Sequence, residues 1–174
     1  MATYVALLRG VNVGGRAKLP MARLRELAGE IGDDVRTYLQ SGNVVLRSAA
    51  PAADVRAALE QRVSAELGKP ATVVVLSAAQ LRRVRDANPF PDEPDPTKLH
   101  AVFLAERPPA AKLKAFAPEA WAPEELRVAG TTAYLRLPGG LGRSKLAAAV
   151  GKLLGVEGTA RNWRTVEALV ELSG

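Results

Sequence analysis

Four prolines stand between Pro89 and Pro96, in the stretch NPFPDEPDPTK (88–98). Proline lacks a backbone donor and fixes its own φ, so neither helix nor ladder continues through that density. Whatever this chain folds into must therefore be assembled from the residues on either side. Both sides show the same order of patterns. TYVALL (3–8) is short, β-branched and bounded by glycine, which predicts a buried strand. In PMARLRELAGEIG, Pro20 fits a first helical turn, and Met21, Leu24, Leu27, Ala28 and Ile31 recur at helical spacing. VRTYLQ and NVVLRS read as two strands turning around Ser41-Gly42-Asn43. AADVRAALEQRVSAELG places Val55, Leu59, Val63 and Leu67 on one helical face and stops at Gly68. ATVVVL follows as a nearly all-apolar strand expected in a central position, and AAQLRRVRDA as a short basic helix.

The second half repeats the order without residue identity. LHAVFL is a strand, PAAKLKAF a short helix, and LRVAG pairs with TTAYLRL across Gly130-Thr131. Ser144 occupies an N-cap position before Leu146, Val150, Leu153 and Leu154. GTARNW is left open between fourth strand and loop, and TVEALVEL is a last helix expected to be capped by Thr165. The order β-α-β-β-α-β is the split βαβ pattern. The expected fold is α+β, two packed ferredoxin-like subdomains with antiparallel sheets. Residues 1–87 would form the first with an extra helix, 88–98 the connector and 99–174 the second. In such a sheet the first strand and the second-to-third hairpin end at the same side. The loop RGVNVGG and the hairpin QSGN should therefore meet.

Charge is unevenly placed. Residues 9–25 carry Arg9, Arg16, Lys18, Arg23 and Arg25 with no acid, a local charge of +5. Residues 143–164 carry five cations against Glu157, or +4, so that of a total of +6 the remainder holds −3. Two basic clusters on a mildly acidic body favour an anionic partner; solvated arginines are the plainer account. The 174 residues include no cysteine, which excludes disulfides, a thiolate nucleophile and Cys-bound metal. MATYVALLRG has no secretory pattern and no run nears a membrane span, so a cytoplasmic protein without membrane contact is expected.

The strings YVALLRGVNVGGRAKLPMARLREL, VRTYLQSGNVVLRS, ANPFP, KLH, PGGLGRSKL and TARNWRTVEAL occur in this order over roughly residues 3–172. In them the chain resembles the bacterial family called domain of unknown function 1697, RGVNVGG, QSGNV and ARNW being the most specific. The resemblance implies two α+β subdomains similar to the ferredoxin-like fold. It implies no activity.

Three stretches carry candidate binding chemistry. Gly10 to Ala17 has the G-x-x-x-x-G spacing of a phosphate loop, but Ala17 stands where the hydroxyl would bind magnesium, and the helix begins too late, near Pro20. What remains is an anion cradle of backbone N–H groups at Gly14 and Gly15 with Arg9, Arg16 and Lys18, or a plain structural loop. Gly142, Arg143, Ser144 and Lys145 set flexible backbone and cations at a helix N-terminus, where unpaired N–H groups favour anions; alternatively the glycines only turn the chain and Ser144 caps. Arg161, Asn162 and Trp163 offer an aromatic plane and a guanidinium suited to a base, against the favoured account of Trp163 as core.

Acid–base constellations are poor. The only histidine, His100, lies mid-strand and is expected to be buried and hydrogen-bonded. Asp92, Glu93 and Asp95 read as solvated charge in the connector. No metal and no cofactor are expected. Strands VALL and VVLRS lack the aromatics by which RNA-binding sheets stack bases, so nucleic acid would bind through loop–phosphate contacts. The leading expectation is a phosphate-bearing ligand, nucleotide or nucleic acid, on the loops at 9–18, 40–43 and 139–145. Asn12, Gln40, Ser41 and Asn43 would supply directional hydrogen bonds there. An enzyme using the same polar cluster and a non-enzymatic interaction module are the alternatives.

Overall fold

The computed structural model describes residues 1–15 and 18–174. Among these residues eight strands and six α-helices follow in the order β1 (Ala2–Leu8), α1 (Met21–Gly29), β2 (Asp33–Tyr38), β3 (Asn43–Ser48), α2 (Ala52–Leu67), β4 (Val73–Ser77), α3 (Ala78–Asp86), β5 (Leu99–Leu104), α4 (Ala110–Ala115), β6 (Glu125–Ala129), β7 (Thr132–Arg136), α5 (Lys145–Leu154), β8 (Gly158–Asn162) and α6 (Trp163–Ser173). They form two four-stranded antiparallel sheets, ordered β2-β3-β1-β4 and β6-β7-β5-β8. Each is the strand order of a ferredoxin-like split βαβ unit, and the open stretch 158–162 is its fourth strand. Two compact units result. One is Met1–Arg83 with Glu167–Gly174, the other Val84–Val166, their boundaries falling inside α3 and α6.

Alternation along the central strands builds each core. Tyr4 and Ala6 of β1 meet Leu46 and Val44 of β3 in register and, with Leu8, receive Leu24, Leu27, Val55, Leu59 and Val63 from α1 and α2. Val5 and Leu7, on the opposite face of β1, are buried as well. In the second unit Val102 and Leu104 of β5 pack with Ala133 and Leu135 of β7 under Leu146, Val150 and Leu154 of α5. The helix stop expected at Gly68 is present as a left-handed cap at φ 69°, and Gly155 ends α5 in the same way at φ 68°.

Two expectations need correction. β4 is an edge strand, half-buried along Val74–Ser77, because the split βαβ order flanks β1, and not the fourth strand, on both sides. The cap of α6 is Asn162, whose Oδ1 accepts from the Thr165 N–H at 2.9 Å; the helix starts two residues earlier than the periodicity suggested, and Thr165 is buried in its first turn.

Candidate ligand-binding site

β1 ends at Leu8, whose N–H donates to the Gly42 carbonyl at 2.8 Å; the next N–H, of Arg9, donates to Thr72 at 3.0 Å. Beyond it every second residue from Gly10 to Gly14 is left-handed, with φ 68° at Gly10, 57° at Asn12 and 60° at Gly14, and Gly15 follows at 72°. Such a path needs glycine or asparagine, which explains their density here. Val11 and Leu19 are buried and anchor the two ends of the loop in the core. Asn12 fastens it between them. Its Nδ2 donates to the carbonyls of Leu19 and Gln40, and its Oδ1 accepts from the Leu19 N–H, all at 2.8 Å. The first-strand loop and the hairpin thus meet, as the topology required.

Asn43 is the counterpart on the hairpin. Fully buried, it donates from Nδ2 to the Tyr38 carbonyl at 2.7 Å and to Ser41 Oγ at 2.9 Å. Asn12 and Asn43 therefore hold the walls of the site, and their carboxamides are turned to the protein. Between the walls lies a cavity of about 390 Å³ lined by Asn12, Gly15, Lys18, Pro20, Met21 and Gln40. Lys18 and Gln40 are exposed, and among the described residues of the lining none is acidic. Arg9 is exposed at the start of the loop; Arg16 lies outside the described residues. Arg23 and Arg25, which belong to the same basic stretch, are engaged elsewhere. Arg23 pairs with Glu26 at 2.8 Å and Glu66 at 3.0 Å, hydrogen bonds that raise its already high pKa, and Arg25 donates to Thr37 Oγ1 at 2.7 Å.

The other two stretches belong to the second unit. Gly142 and Arg143, on the turn before α5, and Lys145, its first residue, are exposed. There the helix N-terminus is served from within the chain: Ser144 Oγ accepts from Ala147 N–H at 2.9 Å, and Glu124 Oε1 accepts from Leu146 N–H at 3.3 Å. The position expected for a bound anion is taken by the protein's own carboxylate. Arg161, Asn162 and Trp163 are structural too. Trp163 is 6% exposed and tilted against Tyr134, ring centroids 6.3 Å apart, so it offers no face to a base. The buried Arg161 guanidinium donates to Thr159 Oγ1 at 2.7 Å and to the Ala160 carbonyl at 2.9 Å, and loss of hydration pushes its pKa down to about 10.

Pro20 and Met21 as cavity wall, and Glu124 over α5, have no signal in the sequence, because nothing local marks which side chain a distant backbone will meet. Glu93 corrects an expectation. It is no solvated connector charge: its side chain is 6% exposed and accepts from Arg136 Nε at 2.9 Å, a bond that holds its pKa below the usual carboxylate range. Arg136 also bridges to Glu125 at 2.8 Å, tying the connector to the β6–β7 hairpin.

His100 is buried as expected, at 4% exposure, but its Nδ1 has no hydrogen-bond partner among the described residues. Its cross-strand neighbours are Leu135 and Asn162, and Val102 and Leu104 share its face of β5, so the surroundings are largely apolar. Burial holds the imidazole pKa below its ordinary value. The unfolded chain therefore takes up the proton first as pH falls. Stability is unaffected by this group above about pH 6.5 and is lost as pH drops from there toward the lower folded-state value. The melting temperature of the wild type is expected to fall more steeply on acidification through that window than that of His100→Leu; equal slopes in scanning calorimetry would refute the assignment.

The model of the family described as Protein of unknown function (DUF1697) matches residues 1–134. Among solved structures, that of the conserved bacterial protein SP0830 from Streptococcus pneumoniae is similar over 99% of each chain, with a TM-score of 0.77 and 21% identity. At that identity the likeness shows the fold. No curated protein matches the sequence. Among the described residues no helix is long and apolar enough to cross a membrane.

Proposed function

The chain belongs to the DUF1697 family of unknown function, and on that premise we propose that the cavity between the 9–18 loop and the 39–42 hairpin binds a small phosphate-bearing ligand. The observation that carries this reading is the cavity itself: about 390 Å³, within the usual range of small-molecule sites of about 300–1,000 Å³, with an exposed ammonium and no carboxylate among the described residues of its lining. Lys18 neutralises charge and Gln40 donates a directional hydrogen bond. Arg9 adds positive potential at the loop's start. The left-handed residues Gly10, Asn12, Gly14 and Gly15 supply the kind of conformation from which anion-binding backbone nests are built. Pro20 and Met21 supply an apolar wall for the part of the ligand that is not phosphate.

Binding is favoured over catalysis by one feature. Among the described residues of the lining Lys18 alone ionises, which supports binding over proton-transfer chemistry. A single small ligand is favoured over a nucleic acid because Lys18 lines a cavity of small-molecule size. The test is a thermal-shift series with pyrophosphate, nucleoside monophosphates, sugar phosphates and a short oligonucleotide, on wild type, Lys18→Ala and Lys18→Arg. A binder raises the melting temperature by mass action. One class of small phosphate is expected to do so, with affinity lowered about tenfold in Lys18→Ala, the loss of one charge-assisted hydrogen bond of about 1.5 kcal/mol. A flat response to every small phosphate would overturn the reading; a shift with the oligonucleotide alone, falling steeply with salt, would replace it by nucleic-acid binding.

A further inference from the structure

The second unit contains a cleft of about 440 Å³ between α4 and α5. Phe116, Trp121, Ala149 and Leu153 give it an apolar lining, and Lys112 and Lys152 contribute its two charges. The cleft exists because α4 has only six residues and buries none of them, so it does not close over α5. Phe116 and Trp121 pack against the α5 core and remain half-exposed. The lysines stand at one end of this lining. Lys152 is in the last turn of α5, and the Lys112 stem runs alongside Gly155, its Cε 3.4 Å from where a Cβ would stand on that cap residue. Neither ammonium makes an ion pair among the described residues.

The terminal carbonyls of α5 account for cations at that end of the helix. They do not account for an open apolar slot with two aromatic rings beside the cations. A cleft of this volume takes one small molecule, whereas a protein partner ordinarily covers about 800 Å² of surface. We propose that the cleft binds a small carboxylate with an apolar tail, the tail lying against Phe116, Trp121 and Leu153 and the carboxylate between Lys112 and Lys152. This inference is independent of the phosphate reading, since it rests on other residues in the other unit.

Decanoate is the probe, titrated below its micellar concentration into the full chain and followed by tryptophan fluorescence and calorimetry. Trp121 is the half-exposed reporter and Trp163 the buried one. Saturable one-to-one binding is expected, with the fluorescence change lost in Trp121→Phe while the heat of binding persists. The double variant Lys112→Ala/Lys152→Ala should bind about tenfold more weakly, and decan-1-ol, which lacks the charge, should be weaker by a similar factor. Ala149→Phe, which fills the slot, should block binding. The proposal fails if decanoate does not saturate, if decan-1-ol binds equally well, or if the double lysine variant is unchanged. Capture of an acidic peptide without decanoate binding would likewise overturn it and make the cleft a protein-docking surface.

Discussion

Gly42→Ala is expected to destabilise the protein by about 3 kcal/mol, and the reason lies in two separable terms. Gly42 is left-handed, at φ 80°, and a Cβ placed on it would stand 2.8 Å from the Cβ of Leu8, itself fully buried in the first core. The left-handed conformation costs an alanine about 1–2 kcal/mol, and forcing a methyl against a fixed core atom adds about 1–3 kcal/mol. Leu8 cannot give way easily, because its own N–H is bonded to the Gly42 carbonyl and its backbone is paired in the sheet. Gly10→Ala is the control. Gly10 is also left-handed, at φ 68°, but nothing lies within 4 Å of the new methyl, so only the conformational term, about 1 kcal/mol, should appear. Thermal unfolding should show Gly42→Ala lower by about 6–12 °C and Gly10→Ala by about 2–4 °C. Equal losses in the two variants would mean that the contact with Leu8 relaxes without cost.

The second large effect concerns Asn12, the fastening between loop and hairpin. Asn12→Ala removes three hydrogen bonds, leaves the Leu19 N–H and the carbonyls of Leu19 and Gln40 without that partner, and puts alanine at φ 57°. Water reaches part of the site, so the loss is expected at about 2–3 kcal/mol and not at the sum of three buried bonds. Asn12→Gly separates the contributions: it restores the conformational freedom and should recover about 1 kcal/mol while leaving the bonds missing. Asn12→Asp keeps the shape but replaces the donor Nδ2 by an oxygen facing two carbonyls, and should be at least as damaging as alanine. Hydrogen exchange of the amides in 8–19 would report the release directly. If Asn12→Ala melts as the wild type does and those amides stay protected, the loop is held by its buried ends, Val11 and Leu19, and the carboxamide is incidental.

Both effects fall on residues that the sequence marks as turn-formers, yet their consequence is tertiary. Much of this protein is legible locally. The prolines of 88–98 announce a break, the short apolar runs in TYVALL and NVVLRS announce strands, and Ser144 announces a helix start, which the structure confirms with its bond to Ala147. The meeting of RGVNVGG with QSGN also follows, because strand direction in a split βαβ sheet is determined once the order of elements is known. Where local reading misled, a partner distant in sequence was decisive. ATVVVL looks central until the sheet order places β4 beside β1 at an edge. Glu93 looks solvated until Arg136, forty-three residues on, reaches it.

What the sequence by itself determined, then, is the succession of elements, the positions of the turns and the pairing of the first loop with the first hairpin, since periodicity, glycine conformation and proline are properties of neighbouring residues. Only the tertiary structure decided that β4 lies at an edge, that Glu124 takes the anion position over α5, that the Asn12 carboxamide faces the protein, and that Glu167–Gly174 group with the first unit, where the Leu172 carbonyl accepts from Arg36 at 3.1 Å. Each of those outcomes depends on which backbone group or side chain arrives from a remote segment. A hydrogen-bonding side chain takes whatever partner the fold brings within about 3 Å, and no local pattern records which one that will be.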